Sequence, residues 1–575
     1  MRQKRLGGLF AAAVFLLCAV MTGTYLIAGY GAYLDSDMAS ELALASHLAE
    51  EGKLISGTWV YSTEVRVLST QLIFTPLMAL FPHDWRLVRT LGCLILQGIL
   101  AASAYFCGRA LGADKKFSLL FAGLTAHNEK NEVVPGLAED WSFDEKTCTY
   151  TFSLRDGLTF HDGEPLTSAD VKFTLEAILD EQNGSEIVSN YTDIAEIRCP
   201  DALTVEIRLT QPNAAFPDYM TIGILPEHLL AGKDLATCAF NQNPVGAGPY
   251  RLEDWDMGQS ITMERFDNYY GGQPQIEQVI FVIVPDSDAR AMQLEAGEID
   301  MAQITPKSAA QLADSEEIRV YRMETADYRA IAYNFANPYF ERHPELPNIL
   351  SYAIDREAII SGVLLGQGEA AYSPLQKSAY NNADIEHFTY DPEKAERLLV
   401  EAGWSKGADG YYEKDGERLG FTIAAMADDQ VRVDMAAMCA SQLQQIGADV
   451  SAETRQSLDW AGQEACIIGW GSPFDPDDHT YKVFTTGAGD NYTSYSNAAI
   501  DQILAAARHT EDAAEREKLY LEFQDKLTTH LPYTFIAYVD ADYAMKANIH
   551  GITEDTVLGH HGVGVFWNIA QWSIA

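Results

Sequence analysis

The chain has 575 residues, of which 47% are hydrophobic and 11% aromatic, so it is long enough for several packed domains and global disorder is excluded. Its formal net charge of -42 at pH 7 argues against nucleic acid as a partner, because the phosphate backbone would repel such a surface. Residues 1–116 hold ten basic and eight acidic residues, whereas the rest of the chain holds 30 and 74. The first fifth of the chain therefore differs in kind from the remainder.

Two apolar stretches in residues 1–116 predict membrane spans. The first, about residues 7–34, follows the basic stretch MRQKR. The second, about residues 88–111, is followed by Lys115 and Lys116. Because basic residues mark both outer ends, the positive-inside rule predicts cytoplasmic ends and an outside loop over residues 35–87. The sequence thus predicts attachment to the cell membrane through the N-terminal spans.

Acidic residues follow the first predicted span, in the stretch DSDMASELALASHLAEEGKL. This stretch resembles the first extracytoplasmic loop of polytopic GT-C type glycosyltransferases, and Asp35, Asp37 and Glu41 occupy the matching positions. The resemblance implies a membrane glycosyltransferase fragment. The alternative interpretation is that these acids solvate a loop after a span.

From about residue 117 onward, strand and helix patterns alternate. TYTFSL, TVEIRL, SITMER and QVIFVIV are typical of strands. Thr167 precedes ADVKFTLEAILDE with Asp170 in its first turn, which predicts a helix start. Asp391 and Pro392 open a second helix, and Gly403 follows its apolar stripe as a C-terminal cap. The large acidic part is therefore predicted to be α/β.

Motifs for catalysis are missing from the sequence, which contains no GxSxG, HExxH, SxxK or GxxxxGK[ST] pattern. Gly246–Gly248 and His161–Gly163 are interpreted as turns. Asp475–His479 looks like a metal cluster, but adjacent acids rarely point at one ion, so a turn is favoured. The pair His560-His561 has no partner motif. We predict a protein that is not an enzyme, with no cofactor and no metal held by its own side chains.

The eight cysteines form no CxxC pair and no metal-like spacing. Cys148 and Cys199 each precede a strand-like run, and a disulfide between them remains open. Cysteine usage therefore does not determine the compartment.

Five ordered stretches carry a further resemblance: VVPGLAEDW, YTFSLRDGLTFHDGEPLTSADVKFTLE, NPVGAGPYRL, MQLEAGEIDMA and YDPEKAERLLVEAGW. From about residue 118 to the C-terminus the chain resembles the family 5 solute-binding proteins of bacterial ABC importers, which take up peptides or nickel chelates. The resemblance implies a two-lobed fold of the type II periplasmic-binding-protein kind, cluster C, with a ligand between lobes that close by a hinge motion. It also implies permease and ATPase subunits as partners and an extracytoplasmic binding domain.

The resemblance implies lobes that are discontinuous in sequence. The first lobe is predicted over 117–303 and 535–575, and the second over 304–534. The family begins with a strand before the segment matching SLLFAGLTAHNEKNEVVPGLA, and here membrane sequence stands in its place. We therefore expect the first lobe to lack its first strand and to expose a sheet edge.

The ligand-facing loop implied by the resemblance reads IIGWGSPFDPDDHTY. Trp470 and Phe474 are predicted to stack on the ligand, and Asp475 is the candidate acid. The family's peptide binders have an amine-pairing acid at the position of Ser472. The form of the loop looks more like the nickel branch, but that branch's first-lobe arginine has no counterpart near MTIGILPEHLL. Peptides and nickel chelates both remain open as ligands.

The two-span topology conflicts with an extracytoplasmic binding domain, because it leads residue 117 into the cytoplasm. One explanation is a fusion of two unrelated sequences near residue 116. The alternative functions are a glycosyltransferase fragment fused to a non-functional binding domain, and a membrane-tethered ligand sensor with an odd number of spans.

Overall fold

The computed structural model describes residues 119–427, 429–459 and 462–575, and the two predicted spans with Asp35, Asp37 and Glu41 lie outside these residues. The strands are β1 (Thr125–His127), β2 (Val133–Pro135), β3 (Ala138–Asp144), β4 (Thr149–Leu154), β5 (Ile194–Asp201), β6 (Thr204–Leu209), β7 (Tyr250–Asp256), β8 (Ser260–Arg265), β9 (Gln278–Val282), β10 (Met301–Ile304), β11 (Ile318–Met323), β12 (Tyr328–Tyr333), β13 (Glu369–Ala370), β14 (Ser405–Lys406), β15 (Tyr412–Lys414), β16 (Glu417–Arg418), β17 (Gly420–Met426), β18 (Asp449–Arg455), β19 (Ala465–Trp470), β20 (Tyr533–Tyr538), β21 (Ala541–Lys546), β22 (Ile549–His550) and β23 (Ser573–Ile574). The α-helices are α1 (Ser168–Leu179), α2 (Phe216–Tyr219), α3 (Glu227–Leu230), α4 (Ser287–Glu295), α5 (Pro306–Leu312), α6 (Pro338–Arg342), α7 (Leu346–Ser351), α8 (Arg356–Gly362), α9 (Pro392–Glu401), α10 (Gln430–Gln445), α11 (Asp477–Phe484), α12 (Ala498–Arg508) and α13 (Ala513–Thr529). The described chain is mixed α/β, as the alternating pattern predicts.

A six-stranded sheet, in the order β13-β20-β12-β19-β17-β18, lies at the centre of the largest core. Its middle strands β12 and β20 are buried along their whole length. Their sequences, YRAIAY and YTFIAY, are nearly continuous apolar runs, which suits strands covered on both faces. β17 pairs in parallel with β18 and β19, and α10 packs on this side of the sheet.

Three sheets of three or four strands build most of the other part of the described chain. The order β3-β4-β6-β5 forms one sheet, on which α1 packs, and its apolar face contains Phe152, Val205 and Ile207. The orders β7-β8-β9 and β10-β21-β11 form the other two. All four strands predicted from TYTFSL, TVEIRL, SITMER and QVIFVIV are present, as β4, β6, β8 and β9.

The chain passes between these parts at two places. It leaves β11, which pairs with β21, and enters β12 of the six-stranded sheet, and it returns from β20 to β21. We call the part from β12 through β20 the second lobe and the rest of the described chain the first lobe. Sheet pairing suggests lobe boundaries other than 303/304 and 534/535. β11 follows residue 303 but pairs with β21 of the first lobe, and β20 of the second lobe continues past residue 534. We propose boundaries at 324–327 and 539–540.

Local capping signals predict helix starts correctly. Thr167 caps α1 and forms a capping box with Asp170, whose side chain accepts from the Thr167 backbone N–H. Asp391 caps α9, with Pro392 as its first residue. Gly403 follows that helix with φ +93, a conformation that glycine adopts without a steric cost.

The stretch Gly246–Gly248 is a close-packed bend before β7 and not a phosphate loop. A Cβ at Gly246 would lie 1.9 Å from the backbone oxygen of Leu120. His161, in the turn that the sequence predicts, holds the bend: its Nε2 is 3.0 Å from the Gly248 oxygen, and its Nδ1 accepts from the Gly246 N–H at 3.2 Å. Both stretches are therefore structural.

Cys148 and Cys199 are both free thiols, so the disulfide left open by the sequence is not formed. The Cys199 thiol lies 3.1 Å from the Ser168 oxygen, whereas the Cys148 thiol lies 3.8 Å from the Glu145 oxygen. The two sulfurs thus point at different parts of the first lobe.

Each sheet of the described residues ends in edge strands, and β9 and β10 are two of these. β9 pairs only with β8, and β10 only with β21. The absence of the family's first strand stays a prediction. None of the helices in this described part of the chain is long and apolar enough to cross a membrane.

Candidate functional site

The candidate site lies where the chain crosses between the lobes. The Thr325 hydroxyl donates to the Val539 oxygen at 2.7 Å, and the Val539 N–H donates to the Asp327 oxygen at 3.0 Å. The C-terminal segment joins this point, because the Ala326 N–H donates to the Leu558 oxygen at 2.8 Å. Three distant parts of the sequence are therefore held together at the hinge between the lobes.

Asp327, His560 and His561 converge at this crossing. His560 Nδ1 lies 2.8 Å from Asp327 Oδ1, and the backbone N–H of His561 donates to Asp327 Oδ2 at 3.3 Å. One ligand atom from each of the three residues lies within 4.8 Å of the others. Imidazole and carboxylate together suit a divalent transition metal.

The electrostatics of this group keep Asp327 ionised. Burial alone would raise the pKa of Asp327, but Arg329, which contacts the carboxylate, and the two histidines hold it well below its ordinary value. The ionised carboxylate of Asp327 lies beside the imidazole of His560, 2.8 Å from its Nδ1. His561 has φ +57, a left-handed conformation that is unusual for a residue other than glycine and is enriched at functional sites.

The loop after β19 is pressed against the same crossing. Gly471 has φ +141, and a Cβ there would lie 1.7 Å from the Ala326 oxygen, so this contact requires glycine. The backbone N–H of His560 donates to the Gly471 oxygen at 3.2 Å. Trp470 precedes this glycine, and its ring centroid lies 6.1 Å from that of His560. The loop thereby brings the predicted aromatic residue beside the histidine pair.

Trp470 and Phe474 both face the junction of the lobes. The Trp470 ring stacks with Tyr492 at 6.1 Å, and its indole N–H is buried with no hydrogen-bond acceptor among the described residues. Phe474 stacks on His127 of the first lobe, with ring centroids 4.0 Å apart and planes 10° apart. His127 is in turn held by Asp218, at 2.9 Å. Phe474 thus contacts the opposite lobe directly.

The stretch Asp475–His479 does not converge on one ion. Both Asp475 oxygens accept from Arg516, each at 2.6 Å, and burial raises the pKa of Asp475 despite that arginine. Asp477 pairs instead with Arg508, at 2.6 Å. His479 Nε2 faces the Pro374 oxygen at 3.2 Å. Only Asp475 and Pro476 precede the helix, and Asp477–His479 form the first turn of α11 instead of a turn between elements. The two acids Asp475 and Asp477 anchor this segment to α13 and α12.

Sequence reasoning pointed to Trp470 and Phe474, whose rings lie at the junction of the lobes, but it missed two partners. It treated His560-His561 as lacking a partner, whereas Asp327 binds both residues from far upstream. It gave no role to Arg516, which occupies the carboxylate of Asp475. The ligand-binding roles of Trp470, Phe474 and Asp475 stay predictions. The histidine doublet was the only sequence signal for the group.

Comparison with known proteins identifies the family. Residues 132–492 match the sequence model described as bacterial extracellular solute-binding proteins, family 5, middle region. Protein XP55 of Streptomyces lividans is 32% identical over 448 residues, which cover 76% of this chain and 82% of the relative.

Two solved structures have the same fold. The structure of NikZ from Campylobacter jejuni in complex with Ni(L-His) has a TM-score of 0.77 and 35% identity, covering 81% of this chain and 96% of that one. The oligopeptide-binding protein AppA of Bacillus subtilis, in complex with a nonapeptide, has a TM-score of 0.71 and 29% identity, covering 80% and 93%. The match favours a binding protein over the glycosyltransferase alternative. The chain belongs to the family 5 bacterial extracellular solute-binding proteins, and it is the substrate-binding component of an ABC importer rather than an enzyme.

Proposed function

We propose that the protein captures a nickel chelate of amino-acid type at the junction of its lobes and delivers it to the permease and ATPase subunits of an importer. The convergence of Asp327, His560 and His561 beside Trp470 carries the proposal. Imidazole nitrogen is a preferred ligand of Ni²⁺ in proteins. The relative NikZ, described in complex with Ni(L-His), supports the same ligand class.

Each residue has a distinct part in this proposal. His560 Nδ1 is paired with Asp327 at 2.8 Å, which orients the ring and leaves the second ring nitrogen of His560 to bind the metal. Trp470 and Phe474 stack on the planar parts of the chelate. Asp475 does not contact the ligand in this proposal; its ion pair with Arg516 holds the loop that carries Phe474.

Isothermal titration calorimetry with nickel chloride and two equivalents of L-histidine tests the proposal. His560→Ala is expected to weaken binding at least tenfold. His550→Ala is the matched control, since His550 is an exposed histidine at the end of β22. Equal affinities of the two variants would remove His560 from the site, and no binding by the wild-type protein would refute the nickel ligand.

A peptide is the second candidate ligand. The aromatic pair Trp470 and Phe474 favours it, as does AppA, which is described with a nonapeptide. Against it, Ser472 stands where a peptide binder of this family is expected to carry an amine-pairing acid. Titration with the same nonapeptide discriminates: binding of the peptide without binding of the nickel–histidine chelate would replace the first proposal with the second.

We further propose that the binding domain works outside the cytoplasm, tethered through residues 1–116. The family's extracellular character supports this location. The two predicted spans conflict with it, and an odd number of spans would resolve the conflict. Protease treatment of intact cells is expected to cleave the binding domain, and full protection would contradict an external location.

A further inference from the structure

We propose that Tyr219 and Asp477, with Arg508, form a clasp between the lobes that sets how much of the free protein is closed, making Tyr219 a positioning residue for ligand capture. The hydroxyl of Tyr219, in α2 of the first lobe, donates to Asp477 Oδ2 at the start of α11 in the second lobe. All three side chains are buried. The link to ligand capture rests on the proposed function, whereas the clasp itself does not.

The second lobe prepares Asp477 for this contact. Arg508 Nη2 donates to Asp477 Oδ2 at 2.6 Å, and Arg508 Nε donates to the same oxygen at 2.9 Å. The guanidinium carbon lies 3.5 Å from the centre of the Tyr481 ring. The carboxylate is therefore charged and fixed by its own lobe, and Tyr219 adds a hydrogen bond to a charged acceptor.

The end of α12 extends the clasp. The Ala214 N–H of the first lobe donates to the Arg508 oxygen at 3.1 Å, and His509 Nδ1 lies 2.8 Å from the Pro212 oxygen. A carbonyl at a helix C-terminus finds no N–H donor within its own helix, and here the first lobe supplies that donor. Backbone and side-chain contacts thus meet at one patch of the interface.

These contacts form only when the lobes are closed on each other. The described chain crosses from one lobe to the other only at 324–327 and 539–540, so the lobes can rotate about these two segments. Rotation about those hinge segments separates Tyr219 from Asp477 while leaving the pair with Arg508 intact. The clasp therefore favours the closed state before ligand arrives. Measured affinity scales with the closed fraction, so a weaker clasp lowers affinity without touching the ligand.

Hydrogen exchange of the Ala214 amide in the full, unliganded chain tests the clasp, because that amide is protected across the interface. Tyr219→Phe is expected to speed exchange of the Ala214 amide about tenfold, because the variant loses one hydrogen bond to a charged group. Tyr333→Phe is the matched control, because Tyr333 is also buried but its hydroxyl lies 2.9 Å from that of Thr534, within the second lobe. Unchanged exchange in Tyr219→Phe, or equal acceleration in both variants, would overturn the proposal.

A binding measurement connects the clasp to capture. The dissociation constant for the nickel–histidine chelate is expected to rise in Tyr219→Phe by the factor by which the variant lowers the closed fraction of the free protein. A lower closed fraction with no matching rise in the dissociation constant would overturn the positioning role. If the wild-type protein binds neither this chelate nor the nonapeptide, the proposed function fails, and the exchange comparison still decides the clasp.

Discussion

Replacing Arg516 by methionine should strongly destabilise the protein. Arg516, in α13, donates to both oxygens of Asp475 at 2.6 Å, and both side chains are nearly buried. Its guanidinium also lies over the Tyr520 ring, 5.3 Å from the centre. Methionine keeps much of the apolar stem. It removes the charge, the two hydrogen bonds to Asp475 and those to the Ala507 oxygen and the Tyr520 hydroxyl, so the variant measures the whole anchoring role of the guanidinium.

The expected cost follows from burial. Removing one partner of a buried pair leaves an uncompensated charge and costs about 3–5 kcal/mol. Asp475 limits this cost, because burial already raises its pKa and the carboxyl takes up a proton when Arg516 is gone. We therefore expect about 3 kcal/mol, at the lower end of that range.

Urea denaturation at pH 7 measures the loss of free energy of unfolding. Arg397→Met is the matched control, since Arg397 Nη2 lies 3.9 Å from Asp391 Oδ2 and both side chains are exposed. Such a surface pair contributes less than about 1 kcal/mol. Adding Asp475→Asn to Arg516→Met should recover part of the loss. A cost for Arg516→Met no larger than that of the control would refute the anchoring of the loop.

Three further outcomes are expected. Burial raises the pKa of Asp542 to about 6, so the folded protein binds this proton more tightly than the unfolded chain, and stability falls as pH rises from about 4 to about 6. Asp542→Asn should therefore raise the melting temperature at pH 7.5 and leave it unchanged at pH 4. Equal melting temperatures of variant and wild type at pH 7.5 would contradict this. Gly246→Ala should destabilise by about 1–3 kcal/mol because its Cβ meets backbone, while Gly489→Ala, in open space, should be near neutral by the same urea assay. Cys148 and Cys199 should both react with a thiol reagent in the unfolded protein without prior reduction, and their absence from the reacting thiols would show a disulfide.

The fold was predictable where the signal is local. Caps such as Thr167 and Asp391 act on backbone groups a few residues away, so the helix starts they predict are correct. The strands β4, β6, β8 and β9 follow from the apolar pattern of their own residues. The lobe boundaries that we propose from sheet pairing differ from those predicted, because the pairing between β11 and β21 depends on residues far apart in the sequence.

The site was predictable only in part. Trp470, Phe474 and Asp475 came from a family resemblance, which did not show that Arg516 pairs with the Asp475 carboxylate. Pairing of a carboxylate is a property of its three-dimensional neighbours, and no spacing in the sequence reveals it. The same limit hid Asp327 as the partner of the histidine doublet.

By itself the sequence determined the α/β class, the family, the helix starts and the acidic character of residues 117–575. These properties follow from composition, from the periodicity of apolar residues and from motifs in a fixed order. Only the tertiary structure decided which charges are partnered. It brought Asp327 to His560 across the hinge and Tyr219 to Asp477 across the lobes. The physical reason is that burial and pairing, which set the charge and the availability of a side chain, arise from contacts between segments hundreds of residues apart.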